Sequence, residues 1–251
     1  MFIRRQSPAH EFMGGDFFDR IISPVEDGEC AIEETKKKIN AWRELGKFSI
    51  FTAGAYDLLQ LNHTRGLAQC RALGAMVLLE IDEIRTEHDQ REVHTLATSS
   101  RLALMVTMDT NRALKEGKSR RADKGGAPKP TLDWQSRAMM LASQSIPTPD
   151  HNHRVNLVDY ITRHGPDSCG QCEDGACTNE DNARMAVALQ PDMIVVNIGS
   201  LRTIEDLSRF KQEGLLPDTH LVEFDEEEGA YHDAILGGQI STTAIINRIR
   251  S

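Results

Sequence analysis

Phe48–Thr52 (FSIFT) is an apolar, strand-like run that ends in Ala53–Gly54, and a helical stretch follows from Leu58 to Leu73. A buried strand, a glycine turn and a helix in immediate succession form half of a crossover unit, the device that joins parallel strands. This feature narrows the possible folds more than any other, and the chain repeats it. Arg101–Met108 (RLALMVTM), Met193–Asn197 (MIVVN) and His220–Phe224 read as further strands, interleaved with helices over Asp133–Ser143, Ala183–Leu189 and Ile204–Gln212. Ala31–Leu45 has a helical period with Ile32, Ile39, Trp42 and Leu45 near one face. Gly74 is expected to close the second helix, with Met76–Ile81 (MVLLEI) then a strand or the end of a buried segment. Residues 82–99 are expected to form an inserted helix, and Thr242–Ile249 a closing one. Strands alternating with helices imply an α/β fold around a parallel sheet.

Composition bounds the partners more than the fold. The formal charge of -9 excludes the large cationic footprint that broad, non-specific nucleic-acid binding needs. It leaves open a small anion held by a few local donors. No apolar run approaches the roughly 18 residues of a membrane-spanning helix, and the arginines of MFIRRQSPAH precede no apolar stretch of the kind a secretory signal carries. The expectation is a soluble, cytoplasmic protein without membrane or nucleic-acid partners, in which five cysteines are reduced or bind metal.

Three stretches carry chemistry. In Phe51–Ala75 the turn after the strand leads into a helix whose first turn holds Asn62 and His63. Parallel sheets bind phosphate at this place, and a histidine there can donate to a phosphate oxygen, although first-turn histidines also occur in purely structural settings. Residues 115–130 (KEGKSRRADKGGAPKP) form a basic loop too polar to pack, hence a solvated surface or a substrate-closing segment. Cys169, Cys172 and Cys177 lie amid Gly, Asp and Pro residues. That spacing lets two thiolates meet one ion and a third close round it, with His164 the nearest fourth ligand of a structural Cys₃His zinc site and His151 and His153 as alternatives. Three reduced cysteines in a loop would read the same way. A redox pair fits less well, since it should open a helix directly after a strand.

The run Gly54-Ala55-Tyr56-Asp57-Leu58-Leu59-Gln60-Leu61-Asn62-His63 resembles the G-x-F-D-x-x-H-x-G-H signature of the cytidylyltransferase-like nucleotidyltransferases. Ile240-Ser241-Thr242-Thr243 resembles the family's second signature, and the two stand in the family's order. WRELGKFSIFTAG looks like heptose-phosphate adenylyltransferase domains, and the type also includes glycerol-phosphate cytidylyltransferases. Leu189–Val196 is similar to a further family strand, which opens on Pro191-Asp192. The resemblance spans roughly residues 32–250 in element order. It implies a Rossmann-like, doubly wound sheet over residues 47–251, a helical N-terminal extension over 1–46, and an insertion at about 145–185 carrying the cysteines.

The implied reaction transfers a nucleoside monophosphate from CTP or ATP to a phosphorylated small molecule, releasing pyrophosphate, with Mg²⁺ accompanying the triphosphate. By that resemblance His63, Gln60, Lys118 and Arg137 would face the reacting phosphates, with Lys115 an alternative to Lys118. Gly54, Ala55, Tyr56, Asp57, Asn62, Asp109, Ser241, Thr242 and Thr243 would hold the nucleotide. A homodimer is compatible with this reading. The sequence departs from the family in places. Gln60 replaces the first histidine, Asn62 the following glycine, and Leu236 an arginine, while Asn197, Ile198 and Gly199 stand where a lysine and glycines are usual. These departures make a catalytically impaired nucleotide-binding protein of the same fold the alternative.

Overall fold

A computed structural model describes residues 21–24, 31–54, 56, 59, 61–83, 89–110, 132–164, 182–197, 201–224 and 249–250. Among them the helices are α1 (Ala31–Glu44), α2 (Leu61–Glu83), α3 (Gln90–Ala97), α4 (Trp134–Ala142), α5 (Asn182–Leu189) and α6 (Leu201–Gln212). The strands are β1 (Phe48–Gly54), β2 (Leu102–Asp109), β3 (Ser145–Pro147), β4 (Arg154–Asn156), β5 (Tyr160–His164), β6 (Met193–Asn197), β7 (His220–Phe224) and β8 (Ile249–Arg250).

The main sheet has the order β5-β2-β1-β6-β7-β8. Its first five strands are parallel, and β8 runs antiparallel to β7 through Leu221–Arg250 and Val222–Ile249. Strands fed by crossover helices are covered on both faces, so their sequences are apolar throughout rather than alternating. In β2 the alternation shows in the packing instead. Leu102, Leu104, Val106 and Met108 join one core cluster, with Leu67 and Leu73 of α2, Val93 of α3 and Trp134 of α4. Ala103 and Met105 join the other, with Ile39 of α1, Met185 of α5 and Leu207 of α6. The result is an α/β sandwich, doubly wound as expected, with α2, α3 and α4 on one face and α1, α5 and α6 on the other.

Several expectations change. The expected helix ending at Leu73 and the run Met76–Ile81 belong to one long helix, α2, described from Leu61, which runs through Gly74. A Cβ at Gly74 would come within 2.2 Å of Ile50 Cδ1, so this glycine lets the helix lie close on β1 rather than ending it. Met76, Val77, Leu78 and Leu79, the first four residues of MVLLEI, are all buried, and a buried helix and a buried strand look alike in such an apolar run. Ile249 lies in a strand, not at the end of a helix. In the segment expected as an insertion, β5 is the sheet's own edge strand beside β2, and β3 and β4 form an antiparallel hairpin.

The segment expected as an N-terminal extension also enters the body of the fold. Thr35 of α1 shares a 3.0 Å hydroxyl contact with Thr162 of β5, and Trp42 meets Tyr160 edge to face. Ser23 N–H donates to Ile161 O along the side of β5 away from β2, where Ile22 bridges to Ile161.

Candidate functional site at the carboxyl edge of the sheet

The chain builds outward from β1 through β2 to β5, then returns to place β6 on the other side of β1. Between β1 and β6 the order reverses, and in open sheets of this kind ligands bind beyond the carboxyl ends of the strands at such a reversal. The two strands are joined firmly at one end and loosely at the other. Asp192, just before β6, accepts both Ser49 N–H (2.7 Å) and Ser49 Oγ–H (2.6 Å), and its own N–H donates back to Ser49 Oγ. Among the described residues the ladder then registers Ile50 with Met193 and Phe51 with Ile194. Beyond these, the Thr52 hydroxyl reaches across to Val195 O at 3.1 Å. The Pro191-Asp192 pair noted in the sequence is therefore a clamp at the opposite edge from the site.

Where the crevice opens, β1 ends at Gly54. A Cβ there would lie 2.7 Å from Tyr56 Cε2, so the glycine admits a ring folded back over the end of the strand. Tyr56 is buried and has φ of 45°, a left-handed conformation that costs a bulky residue about 1 kcal/mol or more. Its ring meets His63 edge to face, with centroids 5.3 Å apart. His63 stands in the first turn of α2, where backbone N–H groups lack intrahelical partners and the helix dipole favours an anion. Strand end, glycine, strained tyrosine and histidine thus form one unit at the reversal point.

At the neighbouring strand, α4 closes the end of β2. Asp133 caps the helix by accepting Ser136 N–H at 2.7 Å, and that bond is the chief reason its carboxyl sits below the ordinary 3.8. Trp134 Nε1 donates to Met108 O at 3.4 Å, and Arg137 donates to Asp109 O at 2.7 Å. Arg137 is almost fully buried, and this bond holds the backbone at the end of β2. Arg163 of β5, in register with Met108, places its guanidinium 4.3 Å from the centroid of the Trp134 ring.

Of the residues expected at the site, the structure brings Gly54, Tyr56 and His63 together and sets Asp109 and Arg137 at the neighbouring strand end. Asn62 lies in the first turn of α2, and His164 ends β5 opposite Asp109. Ala55, Asp57, Gln60, Lys115, Lys118, Leu236, Ser241, Thr242 and Thr243 lie outside the described residues, as do Cys169, Cys172 and Cys177. Among the described residues no group of three His, Cys, Asp or Glu side chains could hold a metal. Two arginines escaped the sequence reading. Arg163 had no signal, since YITRH sits in a stretch read as an insertion. Arg65, two residues after His63, has a buried Nε with no hydrogen-bond partner among the described residues.

No family model matches the chain, and no curated protein matches it. Among solved structures it is similar to pantoate-beta-alanine ligase from Francisella tularensis, a structure complexed with beta-gamma ATP and beta-alanine. The identity is 11% and the TM-score 0.38, over 82% of this chain and 66% of that one. The chain therefore spans just under two thirds of the ligase's length. The fold stands on the strand pairing above and not on this likeness. No helix among the described residues is long and apolar enough to cross a membrane.

Proposed function

We propose that the chain binds a nucleoside triphosphate at the carboxyl edge between β1 and β6 and transfers its nucleoside monophosphate to a phosphorylated small molecule. The observation that carries this reading is His63, set in the first turn of α2 at the point where the sheet order reverses and braced by Tyr56. The resemblance of Gly54–His63 and Ile240–Thr243 to nucleotidyltransferase signatures supports it. An oxygen of the acceptor phosphate attacks the α-phosphorus, the bond to the bridging oxygen of the β-phosphate breaks, and pyrophosphate leaves. Such a transfer needs no covalent enzyme intermediate, so the work of the side chains is positioning and stabilising charge.

His63 donates to the phosphate at the helix N-terminus, and Gln60 stands with it by the motif. Arg137 fixes the end of β2, from which residues 111–131, with Lys118, depart. Ser241, Thr242 and Thr243 belong to the triphosphate side by resemblance. By the same resemblance, Mg²⁺ would be carried in on the triphosphate's own oxygens. When bound, it neutralises charge on the leaving pyrophosphate. The cysteine cluster is assigned to a structural zinc apart from this chemistry, which zinc content well below one per purified chain would refute.

The departures at Gln60, Asn62 and Leu236 favour a second reading, an impaired enzyme that binds without turnover. Melting curves with ATP or CTP and Mg²⁺, paired with a pyrophosphate-release assay over phosphorylated acceptors, separate the two. A ligand that binds only the native state raises the melting temperature. The proposal expects a rise with one nucleotide, a much smaller rise in His63→Ala, and pyrophosphate release. A rise without release selects the second reading, and no rise with either nucleotide overturns both.

A further inference from the structure

The acceptor is left unplaced by the residues that resemble a family, and the structure offers a position for it. We propose that Arg163, seated over Trp134 at the end of β5, binds the phosphate of the second substrate. The inference rests on the transfer reading above for the identity of that substrate as a phosphorylated small molecule.

Placement comes first. Arg163 follows Ile161 by two residues in a strand and is in register with Met108. It therefore points to the sheet face that Ile161 and Met108 share with α2. His63 begins α2 over that same face, and β5 is separated from β1 only by β2, so the two strand ends lie roughly 10 Å apart. Two side chains reaching inward from such positions can hold two substrates whose phosphates must meet.

Chemistry selects the ligand. The Trp134 indole is only 6% exposed, its Nε1 is tied to Met108 O, and Arg163 covers its ring. No open aromatic face is left for a nucleotide base to stack on, so the pair presents charge. A guanidinium held over a ring keeps its five N–H donors in its own plane, along its edge, a fork that matches two oxygens of a phosphate. Arg137, one turn further along α4, adds a second buried guanidinium behind the same strand end. The capped helix and the two indole and guanidinium bonds to β2 carbonyls fix the position of the subsite before any ligand arrives.

Trp134 is also the reporter. The chain has two tryptophans, and Trp42 is buried on the opposite face, so Trp42→Phe leaves Trp134 alone. Inorganic phosphate is titrated into that protein at constant ionic strength while indole emission is followed. The expected result is a saturable change, with affinity about tenfold or more weaker in Arg163→Met and an intermediate value in Arg163→Lys, which keeps charge but not the fork. Equal phosphate affinity in all three, or no saturable response in the parent, overturns the subsite. If Arg163→Met does not fold, Arg163→Lys decides alone: weakening supports the subsite, and unchanged affinity overturns it. The nucleotide melting curves are read on the same protein. Absence of a nucleotide shift there refutes the transfer reading, while the phosphate titration still decides Arg163.

Discussion

The two edges of the sheet are built to different standards. At the amino edge the connections are short and closed by hydrogen bonds. Phe48 N–H donates to Arg101 O, His220 N–H to Asp192 O, the Thr219 hydroxyl to Pro191 O and Lys211 Nζ to Thr219 O. Arg43 binds Gln190 O, and Gln190 in turn donates to Leu215 O, tying the ends of α1, α5 and α6 together. At the carboxyl edge β1 ends in a left-handed tyrosine, the β1–β6 ladder gives way to a side-chain bond, and basic side chains gather. The long connections of residues 111–131, 165–181 and 225–248 all leave from strand ends on this side. One edge secures the fold, and the other is free to carry a site. Strain and charge are affordable at the second because the first is satisfied.

Breaking the amino edge should have the largest effect on stability. Arg71 is almost fully buried. It donates to Ala97 O at 2.7 Å and to Asp159 at 2.6 Å, and Asp159 also accepts Leu104 N–H at 2.7 Å. This network joins α2 to the entries of β2 and β5. Removing the buried guanidinium takes its donors from Ala97 O and from the half-buried Asp159 carboxylate, so Arg71→Met should cost about 2 kcal/mol in denaturant unfolding. The nucleotide-induced rise in melting temperature should persist. A loss below about 1 kcal/mol, the scale of an exposed pair, would mean that the network does not secure this edge.

A smaller effect belongs to the carboxyl edge. The Asp133 carboxyl is held below 3.8 chiefly by the Ser136 N–H, with burial opposing the shift. A lowered folded-state pKa contributes stability that is present above the unfolded value and lost as pH falls through the folded one. Asp133→Ala should therefore cost about 1 kcal/mol at neutral pH, the usual worth of an N-cap. Thermal unfolding across a pH series should show the gap steady near neutrality and narrowing below pH 3.8. A gap that widens in acid would contradict the capping account.

What the sequence disclosed follows the same division. The interior strands β1, β2, β6 and β7 were legible because burial on both faces writes an apolar run. The edge strand β5 was not, since YITRH mixes polar and apolar residues and takes its place from pairing with β2. Gly74 looked like a helix stop because close approach to Ile50 is a tertiary fact that no local pattern records. At the site, a motif pointed to Gly54, Tyr56 and His63, but their joint packing had no sequence trace. Arg163 acquires meaning only when β5 brings it over Trp134, 29 positions away along the chain.

Hydrogen exchange in the presence and absence of Mg²⁺ with ATP or CTP tests the division most directly. If the carboxyl edge between β1 and β6 is the nucleotide site, protection should rise at the end of β1 and the first turns of α2. Residues 45–47, 98–101 and 190–192 at the amino edge should exchange unchanged. Protection confined to the amino edge, or none at the start of α2 at nucleotide concentrations that raise the melting temperature, would contradict the account.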